Sequence, residues 1–185
     1  MDPNGKLMQL GKIEGDAIRL VSASKVWIDH NTLYQCEDCL IDITRGSTDV
    51  TISNNWLRNQ DKVMLRGHDD GYIRDKNMKV TVTFNHFGPN CNQRMPRVRH
   101  GFAHLANNFY QGWTKYAIGG SMSPSIKSQS NLFIAPKSGN KERNGFGGAK
   151  LPYTNEQRFQ VADARSVWSL TSSSGVLQCT RASRC

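Results

Sequence analysis

Asp16, Asp38 and Asp42, then Lys62, then Arg94, Arg97 and Arg99 are the side chains of this 185-residue sequence whose types and spacing suit chemistry. The three arginines lie in NQRMPRVRHG (residues 92–101), a stretch interrupted by Pro96 and free of carboxylates. By spacing alone this run is either a solvated face or an anion-binding patch. Clustered carboxylates repel one another unless a cation neutralises them. Calcium suits such a cluster, because it accepts flexible all-oxygen coordination by six to eight ligands. Three aspartates do not fill that sphere, so water or a substrate carboxylate takes the remaining positions. If Lys62 and the arginines share a face with the acids, a bound cation is flanked by fixed positive charge. That arrangement suits a polyanion with carboxylates spaced along its chain. Two other groups read as structural. His68–Asp70 lies between glycines and reads as a polar turn. Asp29 and His30 are neighbours in the strand VWIDH, where adjacent side chains point to opposite faces. No Gly-rich phosphate loop and no serine nucleophile motif is present.

The elements that must position these residues form a repeat. VWIDHNTL (Val26–Leu33), VTISNNWL (Val50–Leu57), VTVTFNHF (Val80–Phe87), AHLANNFY (Ala103–Tyr110) and IKSQSNLF (Ile126–Phe133) align without gaps. They bring Asn31, Asn55, Asn85, Asn108 and Asn131 into register, at steps of 24, 30, 23 and 23 residues. Self-similarity at this period marks a solenoid whose repeats bury their apolar faces by stacking. The segments alternate apolar with polar, turn-rich stretches separate them, and no long amphipathic helix appears. The reading is all-β, a parallel β-helix with an asparagine ladder and an irregular C-terminal arm. A β-sandwich with chance asparagines is the alternative. Residues 1–136 form the β-helix body, 137–150 a glycine- and charge-rich linker, and 151–185 an arm packing on the helix. Residues one coil apart stack about 4.8 Å from each other. Asp16 and Asp38, 22 residues apart, are therefore expected to converge, with Lys62 one coil further on and the arginines one beyond that.

Composition narrows the partner. Twenty-four basic against 15 acidic residues give a net charge of +9, which favours nucleic acid, acidic polysaccharide or a membrane surface. No aromatic-and-basic recognition motif supports nucleic acid, and no apolar run approaches a membrane span. MDPNGKLMQLGKIEGD lacks the apolar stretch of a signal peptide, so the chain reads as intracellular or as a product without its own N-terminus. Of five cysteines, Cys36 and Cys39 have CxxC spacing, but no second CxxC and no paired histidines complete a zinc site. Partial disulfide pairing, Cys179 with Cys185 for instance, is the expectation in an oxidising compartment.

Several motifs in fixed order carry a resemblance: GDAIRL, VWIDHNTL, LIDITRGSTDVTISNN, DKVML, MKVTVTFNHFGPN, QRMPRVRHG, YAIGGSMSPSIKS and the ending SLTSSSGVLQC. On these the sequence closely resembles plant pectate lyases of polysaccharide lyase family one. The resemblance implies a right-handed parallel β-helix and calcium-dependent β-elimination of de-esterified homogalacturonan. It implies that Asp16, Asp38 and Asp42 bind calcium, that Lys62 and Arg99 bind substrate, and that Arg94 is the catalytic base. It also implies a monomer secreted to the plant cell wall, with pectate as partner and neither nucleic acid nor membrane. An arginine base is unusual, since guanidinium is ordinarily protonated. Crowding by Arg97, Arg99, Lys62 and calcium is expected to ease its deprotonation, giving activity that rises at alkaline pH. The sequence departs from the family where DCLID carries Cys39 in place of the usual glycine. If that position needs φ > 0, cysteine strains the loop and weakens metal binding. Glu14 stands where many members have aspartate. Coils normally found before GDAI and after Lys141–Glu142 are missing, so the solenoid is expected to lack its N-terminal cap and some C-terminal coils.

Overall fold

The computed structural model describes residues 15–138 and two further strands, 144–146 and 175–178. Each sequence repeat winds once around, and each coil supplies short strands. The first coil holds β1 (Ile18–Val21), β2 (Ser24–Asp29) and β3 (Asn31–Tyr34). The second holds β4 (Cys39–Thr44), β5 (Thr48–Ser53) and β6 (Trp56–Arg58). The third holds β7 (Gln60–Arg66), β8 (Lys79–Thr83) and β9 (His86–Phe87). The fourth holds β10 (Cys91–Gln93), β11 (Arg97–Val98), β12 (Phe102–Ala106) and β13 (Phe109–Gln111). The fifth holds β14 (Ile118–Gly120), β15 (Ser125–Gln129) and β16 (Leu132–Ile134). Two more strands, β17 (Asn144–Phe146) and β18 (Gly175–Gln178), pair with β14 and β3. Three residues inside the expected linker are thus a strand, and β18 is the part of the expected arm that lies within the described residues.

Strands stack into three sheets, in the orders β1-β4-β7-β11-β14-β17, β2-β5-β8-β12-β15 and β18-β3-β6-β9-β13-β16, with β10 also on β7. The pairings are parallel throughout, as a chain winding the same way in every coil requires. This is a parallel β-helix of about five turns, and the sandwich alternative falls. Val50, Ile52, Val80, Val82, Ala103 and Leu105 point inward and are buried, as the alternation predicts. Beside them Phe87, Tyr110 and Phe133 stack with centroids 4.8 and 4.4 Å apart.

The asparagine ladder is continuous. Nδ2 of Asn31 donates to Oδ1 of Asn55, Asn55 to Asn85, Asn85 to Asn108 and Asn108 to Asn131, at 3.0, 3.0, 3.1 and 3.0 Å. Each acceptor oxygen also takes the backbone N–H of the asparagine one coil away. One backbone device lies behind it: His30, Asn54, Phe84, Asn107 and Ser130, each preceding a ladder asparagine, all have φ between 52° and 55°. A single left-handed residue turns the chain sharply between its second and third strands. It also corrects one sequence expectation. With His30 left-handed, Asp29 and His30 lie on the same side, and Asp29 Oδ2 pairs with His30 Nδ1. Ser53 and Asn54 donate to Asp29 Oδ1 at 2.5 and 2.9 Å, so the group braces two coils.

The one 30-residue step has its cause in the third coil, where a short 3-10 helix (Ile73–Asn77) is inserted between β7 and β8. Its fully buried Asp75 accepts from Gly46 N at 2.6 Å and from His68 N at 2.7 Å, anchoring the insertion to the coil before it. Cys36 is disulfide-bonded, whereas Cys39 and Cys91 are free and buried. The CxxC is therefore neither a zinc knuckle nor a redox pair. The expected Cys179–Cys185 pairing lies outside the described residues.

Candidate functional site

The acidic half of the site is set by the register of the first sheet. Ile18 lies opposite Ile41, so this sheet steps by 23 residues rather than 22. One residue of register decides which side chain meets which. Asp16 accordingly meets Cys39 instead of Asp38, and its Oδ1 accepts the Cys39 N–H at 2.9 Å. Asp16, Cys39 and Asp42 each offer a ligand atom, all within 4.8 Å of one another. Among the described residues no other group of histidine, cysteine and acid side chains converges this way, His68–Asp70 included. Asp38 turns instead to Lys62, whose Nζ donates to its Oδ1 at 2.7 Å.

The electrostatics of this corner suit a cation. Burial, then the neighbouring charge of Asp16, pushes the Asp42 carboxyl up to about 6. Burial and the charges of Asp42 and Asp38 push the Cys39 thiol well above its ordinary range. Asp42 is only 6% exposed, and its Oδ1 has no hydrogen-bond partner among the described residues. Two close carboxylates, one carrying an orphaned buried oxygen, are a donor set that a bound divalent ion would satisfy. Cys39 is not among the residues of positive φ. The strain expected at this departure from glycine is absent; the side chain's contribution is a thiol within 4.8 Å of two carboxylates.

The cationic half comes from the next two coils. Lys62 stands opposite Cys39 on one side and Gln93 on the other. Its hydrogen bond to Asp38 raises its ammonium above the ordinary value. Arg94 follows β10 with φ +62°, and its carbonyl accepts the Met64 N–H at 2.7 Å. From there its Nη1 reaches back across two coils to 3.7 Å from Cys39 Sγ. Arg97 lies on β11, opposite Leu65 and Gly119. Arg99 is the most firmly held. Its Nη1 donates to the carbonyls of Gly67 and His68 at 2.9 and 3.2 Å, and its Nε faces Asp70 at 3.3 Å. Gly67 makes this possible: at φ +99°, a Cβ there would lie 2.8 Å from Arg99 Cβ. Burial first, then Arg97 and Arg94, lowers the Arg99 guanidinium below its ordinary value, so the arginines feel one another.

All seven residues singled out in the sequence lie along one sheet and its flanking turns. Asp16, Asp42 and Arg94 meet around Cys39, Asp38 and Lys62 form a pair, and Arg99 is anchored beside Asp70. Sequence reasoning missed Cys39 as a donor and Gly67 as the space for Arg99. It also missed Arg66, a fully buried arginine that closes β7 and donates from Nη2 to Phe102 O at 2.9 Å. In DKVMLR nothing but the inward parity of the strand marks it.

Comparison with known proteins supports the fold. The pectate lyase family model matches residues 8–156. "Probable pectate lyase 16" of Arabidopsis thaliana is 46% identical over 202 residues, covering 93% of this chain and 51% of that protein. The crystal structure of jun a 1, the major allergen from cedar pollen, superposes with a TM-score of 0.67 at 43% identity. It covers 83% of this chain and 51% of that one. A pectate lyase bound to a hexasaccharide superposes with a TM-score of 0.67 at 27% identity, over 75% of this chain and 41% of that one. The chain spans about half the length of the relatives it matches. With several ordered motifs, the coil geometry and these matches in agreement, the chain belongs to the pectate lyase family.

Proposed function

We propose that this chain is the catalytic region of a calcium-dependent pectate lyase. It cleaves 1,4-linked α-D-galacturonan by β-elimination and leaves 4-deoxy-α-D-galact-4-enuronosyl ends. The observation that carries this reading is the reach of Arg94 to Cys39, whose sulfur lies within 4.8 Å of a carboxylate oxygen of Asp16 and of Asp42. A cation site and a guanidinium thereby share one small patch of a cationic sheet.

Asp16, Asp38 and Asp42 are the residues that would hold calcium. When bound, the ion supplies positive charge that holds a uronate carboxylate and acidifies the adjacent C5 proton. Arg94, as the neutral guanidine, takes that proton on a nitrogen and becomes guanidinium. The electron pair forms the C4–C5 double bond, the C4–oxygen bond breaks, and the departing oxygen takes a proton from solvent. Arg99, fixed by two carbonyls and Asp70, holds the uronate carboxylate in place as charge builds on it. Lys62 and Asp38 have side chains 37% and 38% exposed, so their ion pair contributes roughly 0–1 kcal/mol and is readily exchanged. Exchange frees Asp38 for the cation and Lys62 for a substrate carboxylate. On this reading the protein works as a monomer outside the cell on cell-wall pectate. Its net charge of +9 supports a polyanionic substrate.

A second reading, pectate binding without turnover, is favoured by the Lys62–Asp38 pair and by the thiol among the ligands. Polygalacturonate with calcium in alkaline buffer separates the two. Ultraviolet-absorbing unsaturated product that a chelator abolishes supports the lyase; binding without such product supports the second reading.

A further inference from the structure

We propose that Asp16, Cys39 and Asp42 form a mixed sulfur–oxygen donor set for a thiophilic divalent cation of the zinc class, in competition with calcium. The proposal rests on the reading of Asp16 and Asp42 as cation ligands and concerns which ion they take.

Calcium is a hard ion that fills its sphere with six to eight oxygens and draws nothing from a thiol. Zinc accepts cysteine sulfur and aspartate oxygen together, in a tetrahedron of three protein ligands and one open position. With zinc–sulfur near 2.3 Å and zinc–oxygen near 2.0–2.2 Å, the donors of such a centre lie roughly 3.4–3.6 Å apart. The three donor atoms here already lie within 4.8 Å of one another, so about an ångström of closure completes the set. Cys39 is fully buried within β4, and its N–H is fixed by Asp16 Oδ1. Its sulfur is thus aimed by the backbone rather than by a mobile loop. Independently, the Asp42 side chain is buried and its Oδ1 lacks a hydrogen-bond partner among the described residues. The Cys39 thiol hydrogen-bonds the Asp42 carboxyl, yet this oxygen remains unsatisfied. As the metal–sulfur bond forms, the thiol proton leaves to solvent. Burial and the Asp42 and Asp38 charges hold that proton on the free thiol; Arg94 Nη1, 3.7 Å from the sulfur, opposes them, and the bound ion supplies the rest. A zinc-class ion so held has one open position where calcium has several. It would therefore occupy the site without offering the substrate carboxylate the same room, and would inhibit a calcium-supported reaction.

Cobalt(II) titration of the folded 185-residue chain tests this without any turnover. The expected result is a saturable near-ultraviolet sulfur-to-cobalt charge-transfer band at one equivalent, displaced by zinc and not by equimolar calcium. Cys39→Ser should abolish the band and weaken zinc binding by more than about tenfold. Asp42→Asn, which keeps both thiol and shape, should weaken cobalt binding by a similar factor. Cobalt binding without a sulfur band overturns the proposal, as does a band that persists in Cys39→Ser or an affinity that Asp42→Asn leaves unchanged. The lyase reading fails separately. A chain that shows the band yet forms no unsaturated product keeps this inference and loses that one, and a calcium-dependent lyase without the band does the reverse.

Discussion

Arg94 carries the heaviest demand of any single residue. It holds a left-handed backbone at φ +62°, a conformation that non-glycine residues seldom take, and so aims its guanidinium back over two coils toward Cys39. A lysine at 94 keeps the charge but loses the planar fork and part of the reach. Arg94→Lys is therefore expected to lower kcat by about 100-fold or more while polygalacturonate binding changes little, the range of a lost general base. Steady-state kinetics alongside a binding isotherm checks this. Arg66 makes the opposite kind of claim. It is fully buried, and its Nε and Nη1 have no hydrogen-bond partner among the described residues. Burial pushes it down to about 9, offset in part by Asp75. Because the folded value lies below the unfolded one, the fold opposes its charge, fully so below pH 9. Stability is regained only as pH rises above about 9. Replacing a whole buried ion pair by well-packed apolar groups stabilises by roughly 1–4 kcal/mol in favourable cases, and at Arg66 burial outweighs the attraction of Asp75. Arg66→Met is expected to unfold at higher denaturant concentration at pH 7, with the gap to the parent narrowing above pH 9. A less stable Arg66→Met at pH 7 would show that its bond to Phe102 O outweighs the burial of charge.

At the scale of elements, the ladder is what joins coil to coil between the second and third sheets. Asn85 is fully buried, donates to two backbone carbonyls and to Asn108, and accepts from the Asn55 backbone and side chain. Removing its amide orphans buried groups on both sides, each worth about 1–3 kcal/mol. Asn85→Ala is expected to destabilise by several kcal/mol, and Asn131→Ala, at the end of the ladder, by less; equilibrium unfolding ranks them. This ladder was legible because five asparagines in register with apolar neighbours have no other economical explanation. The turn before each of them was not. His30, Asn54, Phe84, Asn107 and Ser130 share a left-handed conformation without sharing a residue type, so the tertiary winding imposes it. The identity of the carboxylate partners was hidden for a related reason. The 24-residue step of the asparagines does not hold in the first sheet, where the step is 23, and an estimate of 22 pairs Asp16 with the wrong neighbour. Only register shows that Asp16 meets Cys39. Gly67 is equally silent in sequence: its value lies in the 2.8 Å that separates an absent Cβ from Arg99. Gly67→Ala is accordingly expected to displace Arg99 and raise KM for polygalacturonate more than it lowers kcal-scale stability, which kinetics and thermal unfolding resolve together.

For the molecule as a whole, charge and architecture act together. A solenoid keeps side chains one coil apart at a nearly fixed spacing, so under the proposed function a row of cations on one sheet would meet a polymer whose carboxylates also recur regularly. With a net charge of +9, association should be steered by the field and weaken as salt screens it. Affinity for polygalacturonate is expected to fall steadily as sodium chloride rises at fixed calcium. An affinity indifferent to salt would point away from the cationic sheet as the docking face. The measurement that bears most directly on the central claim is ultraviolet absorbance during incubation of polygalacturonate with the folded chain and calcium in alkaline buffer. Absorbance should grow with the parent chain, vanish on chelation, and fail to grow with Arg94→Ala. Growth that survives Arg94→Ala would contradict the assignment of the base, and no growth with the parent chain would contradict the lyase itself.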